Sequence, residues 1–295
     1  MDTDSAVLPQ CESHRAAANT GITVKKCSGL IGAEIGNVDI SQELSDATIE
    51  AIRQALAQHG VIFFRDQDLS ADRQLAFGQR FSLSSREEST KRGDRFADPM
   101  ITMIEKDEQQ LKNVGGGWHA DQTFNDTPPW GSILAAKELP SVGGDTLFAS
   151  LGAAYDDLSD GLKAQLETMR AVHDNERIVT SMMKLPQYEG RDVTFAKAFH
   201  PAVIRHPISG RKILFVNRGY TTQFEGWTKE ESTPLLEYLF RHCERPEYQV
   251  RQTWKPGSVA FWDNLQVLHY AANDYHGERR IMQRISVVGA PLSGV

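Results

Sequence analysis

The sequence predicts a mainly β protein with flanking helices, folded as a double-sheet jelly roll. Three observations carry that expectation. Short apolar runs of strand length recur along the whole chain, separated by Gly, Pro, Asn and Asp turn signals. Only a few stretches show helical periodicity, so helices decorate the strands rather than dominate them. No internal repeat or linker divides the 295 residues, which predicts one domain over residues 21–295.

In chain order, residues 1–20 carry Asp2, Asp4 and Glu12 without regular periodicity and are expected to form a mobile tail. Ile22-Thr23-Val24 alternates like a strand. Ile49, Ile52, Ala55 and Leu56 fall at helical spacing, which predicts a helix from Ser45 to His59, stopped by Gly60. Val61 to Phe64 is an apolar run suited to a buried strand. Ser70 caps a second helix running to about Phe81. The charged stretch 82–98 reads as a solvated loop, and Met100 to Glu105 as a strand. Asn113 to Gly117 is a glycine-rich approach whose backbone either nears a ligand or simply turns.

Ser132 to Ala136 is an apolar strand, and Leu147-Phe148 follows the Gly143-Gly144 turn. Leu158, Leu162, Leu166 and Met169 share a face, predicting a helix from Tyr155 to Ala171. Residues 180–199 contain Pro186 and Gly190 and lack a clean period, so they read as a long loop or lid. Ala202 to Arg205 and Ile213 to Val216 flank Pro207-Ile208-Ser209-Gly210, a hairpin signal. Thr228 with Glu231 three residues on is a capping box opening a helix to His242. The end is strand-rich: 248–254, 259–262, 266–269 and 281–288.

A composition of 40% hydrophobic and 24% charged residues is that of an ordinary soluble globular protein. The net charge of −7 argues against nucleic acid as partner. No signal-peptide pattern opens the chain, and no uncharged apolar run is long enough for a membrane span. Cys11, Cys27 and Cys243 are odd in number and lack CxxC spacing, so a reducing cytoplasm is expected.

The stretch with chemistry in it is Trp118-His119-Ala120-Asp121. Two residues apart on an extended strand, His119 and Asp121 point the same way and offer an imidazole and a carboxylate to one point. A second imidazole, from His269, would complete two histidines and a carboxylate on one face of a metal. That is the donor set of non-haem Fe(II) oxygenases, whose open positions receive a cosubstrate and O2. The same set also holds Co(II), Ni(II) or Mn(II), and similar ligands serve zinc hydrolases. Near the end, Arg280, Met282 and Arg284 alternate on one face of a predicted strand, opposite Ile281 and Ile285. An inward arginine needs an anion.

Three runs, WHADQTFNDTPPWGSILAAKELPSVGGDTLFAS, HPISGRKILFVNRGYTTQFEG and FWDNLQVLHYAANDYHGERRIMQR, resemble the taurine dioxygenase family of Fe(II)/2-oxoglutarate-dependent dioxygenases. The likeness extends from about Gly21 to Val288, in order and with compatible spacing. It implies a double-stranded β-helix core of the cupin type, Fe(II) as metal, and 2-oxoglutarate and O2 as cosubstrates. His119, Asp121 and His269 match the iron ligands. Arg280 matches the arginine that pairs with the distal carboxylate of 2-oxoglutarate, and Thr146 the hydroxyl that shares it; a planar guanidinium suits a carboxylate because two parallel hydrogen bonds form at once. Arg284 matches the residue that holds the sulfonate in taurine dioxygenase, so the substrate is expected to be a small organic anion.

The pocket departs from the taurine enzyme. Tyr220 keeps an aromatic position, but Gly115 stands where that pocket has an asparagine and Val179 where it has a phenylalanine. The histidine and tyrosine that follow the Arg-Phe pair there are absent between Phe81 and Trp118. Taurine is therefore disfavoured, and a sulfonate, sulfate ester or aryloxyalkanoate hydroxylated beside its heteroatom is the expected substrate. A biosynthetic oxygenase that hydroxylates or desaturates a carboxylate metabolite is the alternative within the family. A non-catalytic metal-binding jelly roll is the alternative outside it, disfavoured because such a protein has no use for Arg280. A dimer or tetramer of identical chains is expected, as is the absence of membrane or nucleic-acid partners. Trp118 is expected to pack beside the site, and His173, His200, His206, His242 and His276 to be structural or surface residues.

Overall fold

Strand pairing in the computed structural model, which describes residues 20–92, 100–183 and 194–295, is dominated by one large sheet. The expected tail lies outside the described residues except for Thr20. The sheet has seven strands in the order β1 (Thr23–Lys26), β2 (Ala33–Gly36), β3 (Val61–Phe64), β13 (Val259–Asp263), β5 (Gly131–Glu138), β15 (Arg280–Val287) and β4 (Met100–Lys106). Facing it is a three-stranded sheet of β12 (Gln249–Gln252), β6 (Thr146–Ser150) and β14 (Val267–Ala271). This is the jelly roll the short strands predict.

Alternation along the strands splits the core in two. Val61, Phe63, Leu134, Ala260, Trp262 and Met282 pack with Phe148 and Val267 between the sheets. Their neighbours Ile62, Phe64, Ile133, Phe261 and Ile285 join a second core. That core includes buried residues of α1 (Asp46–His59) and α2 (Ala71–Gln79). Helix α2 comes close because Gly78 has no side chain: a Cβ there would lie 3.1 Å from Ile285 Cγ2. Buried Gln74 then donates to the carbonyls of Ile133 and Gln283.

Some expectations need correction. Helix α3 (Arg86–Arg92) occupies part of the stretch expected as loop. Ser85 and Glu88 cap it reciprocally, Glu88 N donating to Ser85 Oγ and Ser85 N to Glu88 Oε2. The single helix expected over 155–171 is instead α4 (Leu151–Asp156) and α5 (Asp160–Leu166), because Ser159 starts a new N-cap. Its tail becomes strand β7 (Arg170–Asp174), paired between β8 (Lys197–Pro201) and β11 (Thr221–Phe224). Of the stretch 180–199, residues 184–193 lie outside the described residues; its described ends belong to α6 (Glu176–Met182) and β8. The hairpin forms from β9 (Val203–Arg205) and β10 (Lys212–Leu214). Both bonds of the capping box are present at the start of α7 (Lys229–Cys243).

Candidate metal centre

His119 and His269 meet as an isolated antiparallel bridge, exchanging backbone hydrogen bonds of 3.1 and 2.8 Å. Directly opposite residues of such a pair carry their side chains on one side, and the two rings lie 4.1 Å apart between centroids. Asp121, two residues on, brings its Oδ1 to 3.7 Å from His119 Nε2 and 3.8 Å from His269 Nε2. These contacts are too long for hydrogen bonds. The three groups nonetheless offer donor atoms within 4.8 Å of one another, the geometry of a shared ion.

Each of these side chains is oriented from behind. His119 Nδ1 donates to Gly117 O at 2.7 Å, leaving Nε2 as the lone-pair nitrogen. Asn264 clamps the Asp121 backbone, accepting from its N–H at 2.6 Å and donating to its carbonyl at 2.8 Å. Ser132 on β5 donates to Asp121 Oδ2, which turns Oδ1 toward the imidazoles. His269 packs on Trp262, and burial together with the neighbouring His119 presses its pKa down to about 3, so the ring is neutral and able to ligate. Burial alone would raise the Asp121 pKa. Arg284, the two imidazoles and Ser132 outweigh it and hold this carboxyl well below the usual range.

The β15 alternation places both arginines inside the sandwich. Arg280 is buried, and its Nε and Nη2 have no hydrogen-bond partner. Burial lowers its pKa, as for any cation stripped of water without a full counter-charge. Trp254 joins Arg280 to Thr146: its ring lies 5.9 Å from Arg280 Cζ, and its Nε1 donates to Thr146 Oγ1 at 3.0 Å. The Thr146 hydroxyl hydrogen is thereby left to donate elsewhere. Gly144 makes room, since a Cβ there would lie 3.0 Å from Arg280 Cδ and its φ of +68° suits glycine. Arg284 donates from Nη1 to Asp121 Oδ1 at 3.0 Å, while its Nε has no partner.

Tyr220 stands over the site, its ring 6.3 Å from His119 and 5.0 Å from Phe124. Gly115 has φ +86° and lies against the His119 ring, where a Cβ would touch Cε1 at 3.4 Å. Val179 is buried on α6, a helix tied to the site by Arg177, which donates to the carbonyls of Arg218 and Gly219. Trp118 packs on Tyr270, as expected of a neighbour of the site. His173, His200, His206 and His242 are buried with hydrogen-bond partners and are structural.

Sequence reasoning missed Asn264, Ser132, Trp254 and Gly144. Asn264 is three residues beyond Phe261 in a quoted run, but its target is 143 residues away. Buried polar atoms without partners gather at this site: Arg280 Nε and Nη2, Arg284 Nε, His269 Nδ1, Trp262 Nε1 and Gln252 Nε2. Native interiors rarely leave such groups unpaired, so the residues fit an ion and an anionic ligand.

The family profile described as taurine catabolism dioxygenase TauD, TfdA family matches residues 23–286. The chain is 34% identical over 281 residues to an alkylsulfatase of Acinetobacter baylyi, covering 92% of this chain and 87% of that one. It is 34% identical over 290 residues to an alpha-ketoglutarate-dependent sulfate ester dioxygenase of Pseudomonas putida, covering 93% and 92%. Among solved structures, a taurine dioxygenase from Burkholderia xenovorans superposes with a TM-score of 0.76 at 34% identity, covering 92% and 93%. A donor triad fit for a metal, a buried arginine with two guanidinium nitrogens left unpaired and a match over nearly the whole chain place this protein in the TauD/TfdA family of Fe(II)- and 2-oxoglutarate-dependent dioxygenases.

Proposed function

We propose that this dioxygenase hydroxylates a small organic anion, a sulfate ester, sulfonate or aryloxyalkanoate, on the carbon beside the heteroatom. The observation that carries this reading is Arg284: a cation inside the sandwich, bonded to Asp121 through Nη1, with an unpartnered Nε left for a substrate anion. The two relatives at 34% identity, named for alkyl sulfates and sulfate esters, favour that substrate class.

In this reading His119 Nε2, Asp121 Oδ1 and His269 Nε2 hold Fe(II), while Arg280 and Thr146 bind the distal carboxylate of 2-oxoglutarate. Bound iron, with O2 and the cosubstrate, supplies the oxidant for a substrate C–H bond, with release of succinate and CO2. The chain's own residues supply position. Asn264, Ser132 and Gly117 keep the ligands aimed, and Arg284 sets how far the anionic head lies from the metal. Tyr220, Gly115 and Val179 shape the wall that chooses the rest of the substrate. A carbon hydroxylated beside oxygen or sulfur expels its neighbour, giving a carbonyl compound plus sulfate, sulfite or a phenol.

We infer further that residues 21–295 act as one domain, supported by the presence of both β1 and β15 in one sheet, and that the enzyme works in the cytoplasm as a dimer or tetramer. The test of function is anaerobic loading with Fe(II) and 2-oxoglutarate, followed by O2 and a panel of alkyl sulfates, alkyl sulfonates and aryloxyalkanoates. Succinate formed together with sulfate, sulfite or phenol for one class supports the proposal. A hydroxylated or desaturated carboxylate that keeps its skeleton would favour the biosynthetic alternative.

A further inference from the structure

Beside Arg280 lies a second buried cation that none of these roles uses. Lys106, the last residue of β4, is the direct antiparallel partner of Arg280 on β15. Opposed residues share a face, so both side chains enter the same side of the sandwich. Lys106 is 2% exposed. Its ammonium sits 4.4 Å from the centre of the Tyr275 ring, the same ring that lies 6.0 Å from Arg280 Cζ.

Neither cation is neutralised locally. Among the described residues, no carboxylate lies within ion-pair distance of Lys106 or Arg280; Asp145, the acid that neighbours Arg280, is taken by Arg251 at 2.6 Å. An ammonium has three donors, and among the described residues the Lys106 side chain makes one hydrogen bond, a long one of 3.4 Å to the Tyr275 carbonyl. Two like charges opposed across a strand pair and shut away from water are costly unless an anion joins them. A carboxylate has about four lone-pair positions, enough for two guanidinium N–H groups, the Thr146 hydroxyl and one ammonium.

We propose that Lys106 is a second cationic anchor for the distal carboxylate of 2-oxoglutarate, acting beside Arg280 across the β4–β15 pair. It thereby helps the site select a 2-oxo diacid over 2-oxo acids with a neutral far end. The proposal rests on the assignment of Arg280 and Thr146 to that carboxylate, and one assay separates the two.

Binding of 2-oxoglutarate and of 2-oxovalerate, its analogue without the distal carboxylate, is measured by calorimetry on anaerobic Fe(II)-loaded protein. Lys106→Met should weaken 2-oxoglutarate binding about tenfold or more and leave 2-oxovalerate within about twofold, with Lys106→Arg recovering part of the loss. Equal weakening of both ligands would make Lys106 a structural partner of Tyr275 and overturn the proposal, as would unchanged 2-oxoglutarate binding. Arg280→Met in the same assay reports on the underlying assignment; if it does not discriminate between the ligands, that assignment fails first. Should Lys106→Met not fold, Lys106→Gln replaces it under the same criteria.

Discussion

Two histidine–aspartate encounters among the described residues differ in what they leave unfinished. His206 and Asp263 form a closed pair: Nε2 donates to Oδ2 at 2.6 Å, and both side chains are fully buried. Ser209 Oγ lies 2.9 Å from the other ring nitrogen, and Asp263 also accepts from Leu265 N and Gln266 Nε2. Nothing remains for a ligand. His119, His269 and Asp121 converge without touching, at 3.7 and 3.8 Å, and the nearest cation to the carboxylate is Arg284. Residue types alone do not separate a structural histidine from a candidate ligand; donor atoms of three side chains that converge without bonding one another do.

The largest expected effect is at the open set. His119→Ala should cut Fe(II)-dependent succinate formation by on the order of a thousandfold, while circular dichroism of the folded protein stays unchanged. Loss of fold instead would mean the set is structural after all. Next comes the closed pair. His206→Ala leaves the Asp263 carboxylate buried without its Nε2–H donor and should cost about 3–5 kcal/mol in urea unfolding, with activity per folded molecule retained. If that variant instead lost iron affinity with stability intact, the two sites would not be the separate devices described above.

A smaller effect is expected at Ser132, whose hydroxyl only orients Asp121. Ser132→Ala should weaken metal affinity by roughly tenfold, measured by competition with a chelator; no change would show that Asn264 alone suffices. The smallest is a pH dependence. Burial alone would lower the His206 pKa, but the charge and hydrogen bond of Asp263 prevail, so it is raised above its ordinary 6.5. Protonation therefore stabilises the fold: the contribution is fully present below pH 6.5 and is lost as pH rises through the raised value. The stability gap between the wild type and His206→Gln should narrow over that rise, and a gap that widened would reverse the sign assigned to this pair.

Much of the site was legible because its signals are local. His119 and Asp121 share a face by the two-residue period of a strand, and Arg280, Met282 and Arg284 do so again. The alternation is why Arg284 accompanies Arg280 inward. The capping box at Thr228 is legible because Thr and Glu stand three residues apart before an apolar periodicity. The equivalent one at Ser85–Glu88 was hidden among charges, which made a helix look like a loop. Strands β2, β7 and β11 were unreadable for a different reason: each is short, and each exists through its pairing, β7 lying between β8 and β11.

Local pattern along the chain was enough for the jelly-roll class, the candidate pair His119 and Asp121, and the inward face of β15, since periodicity is a property of neighbours along the chain. His269, Arg280, Thr146 and Arg284 drew their roles from family likeness. That His269 opposes His119, that Asn264 and Ser132 hold Asp121, and that Lys106 stands across from Arg280 emerges from the folded chain. Those facts depend on strand register between segments more than a hundred residues apart or on side chains brought in from other strands. Register is set by how whole faces bury against each other, which no local window of residues contains.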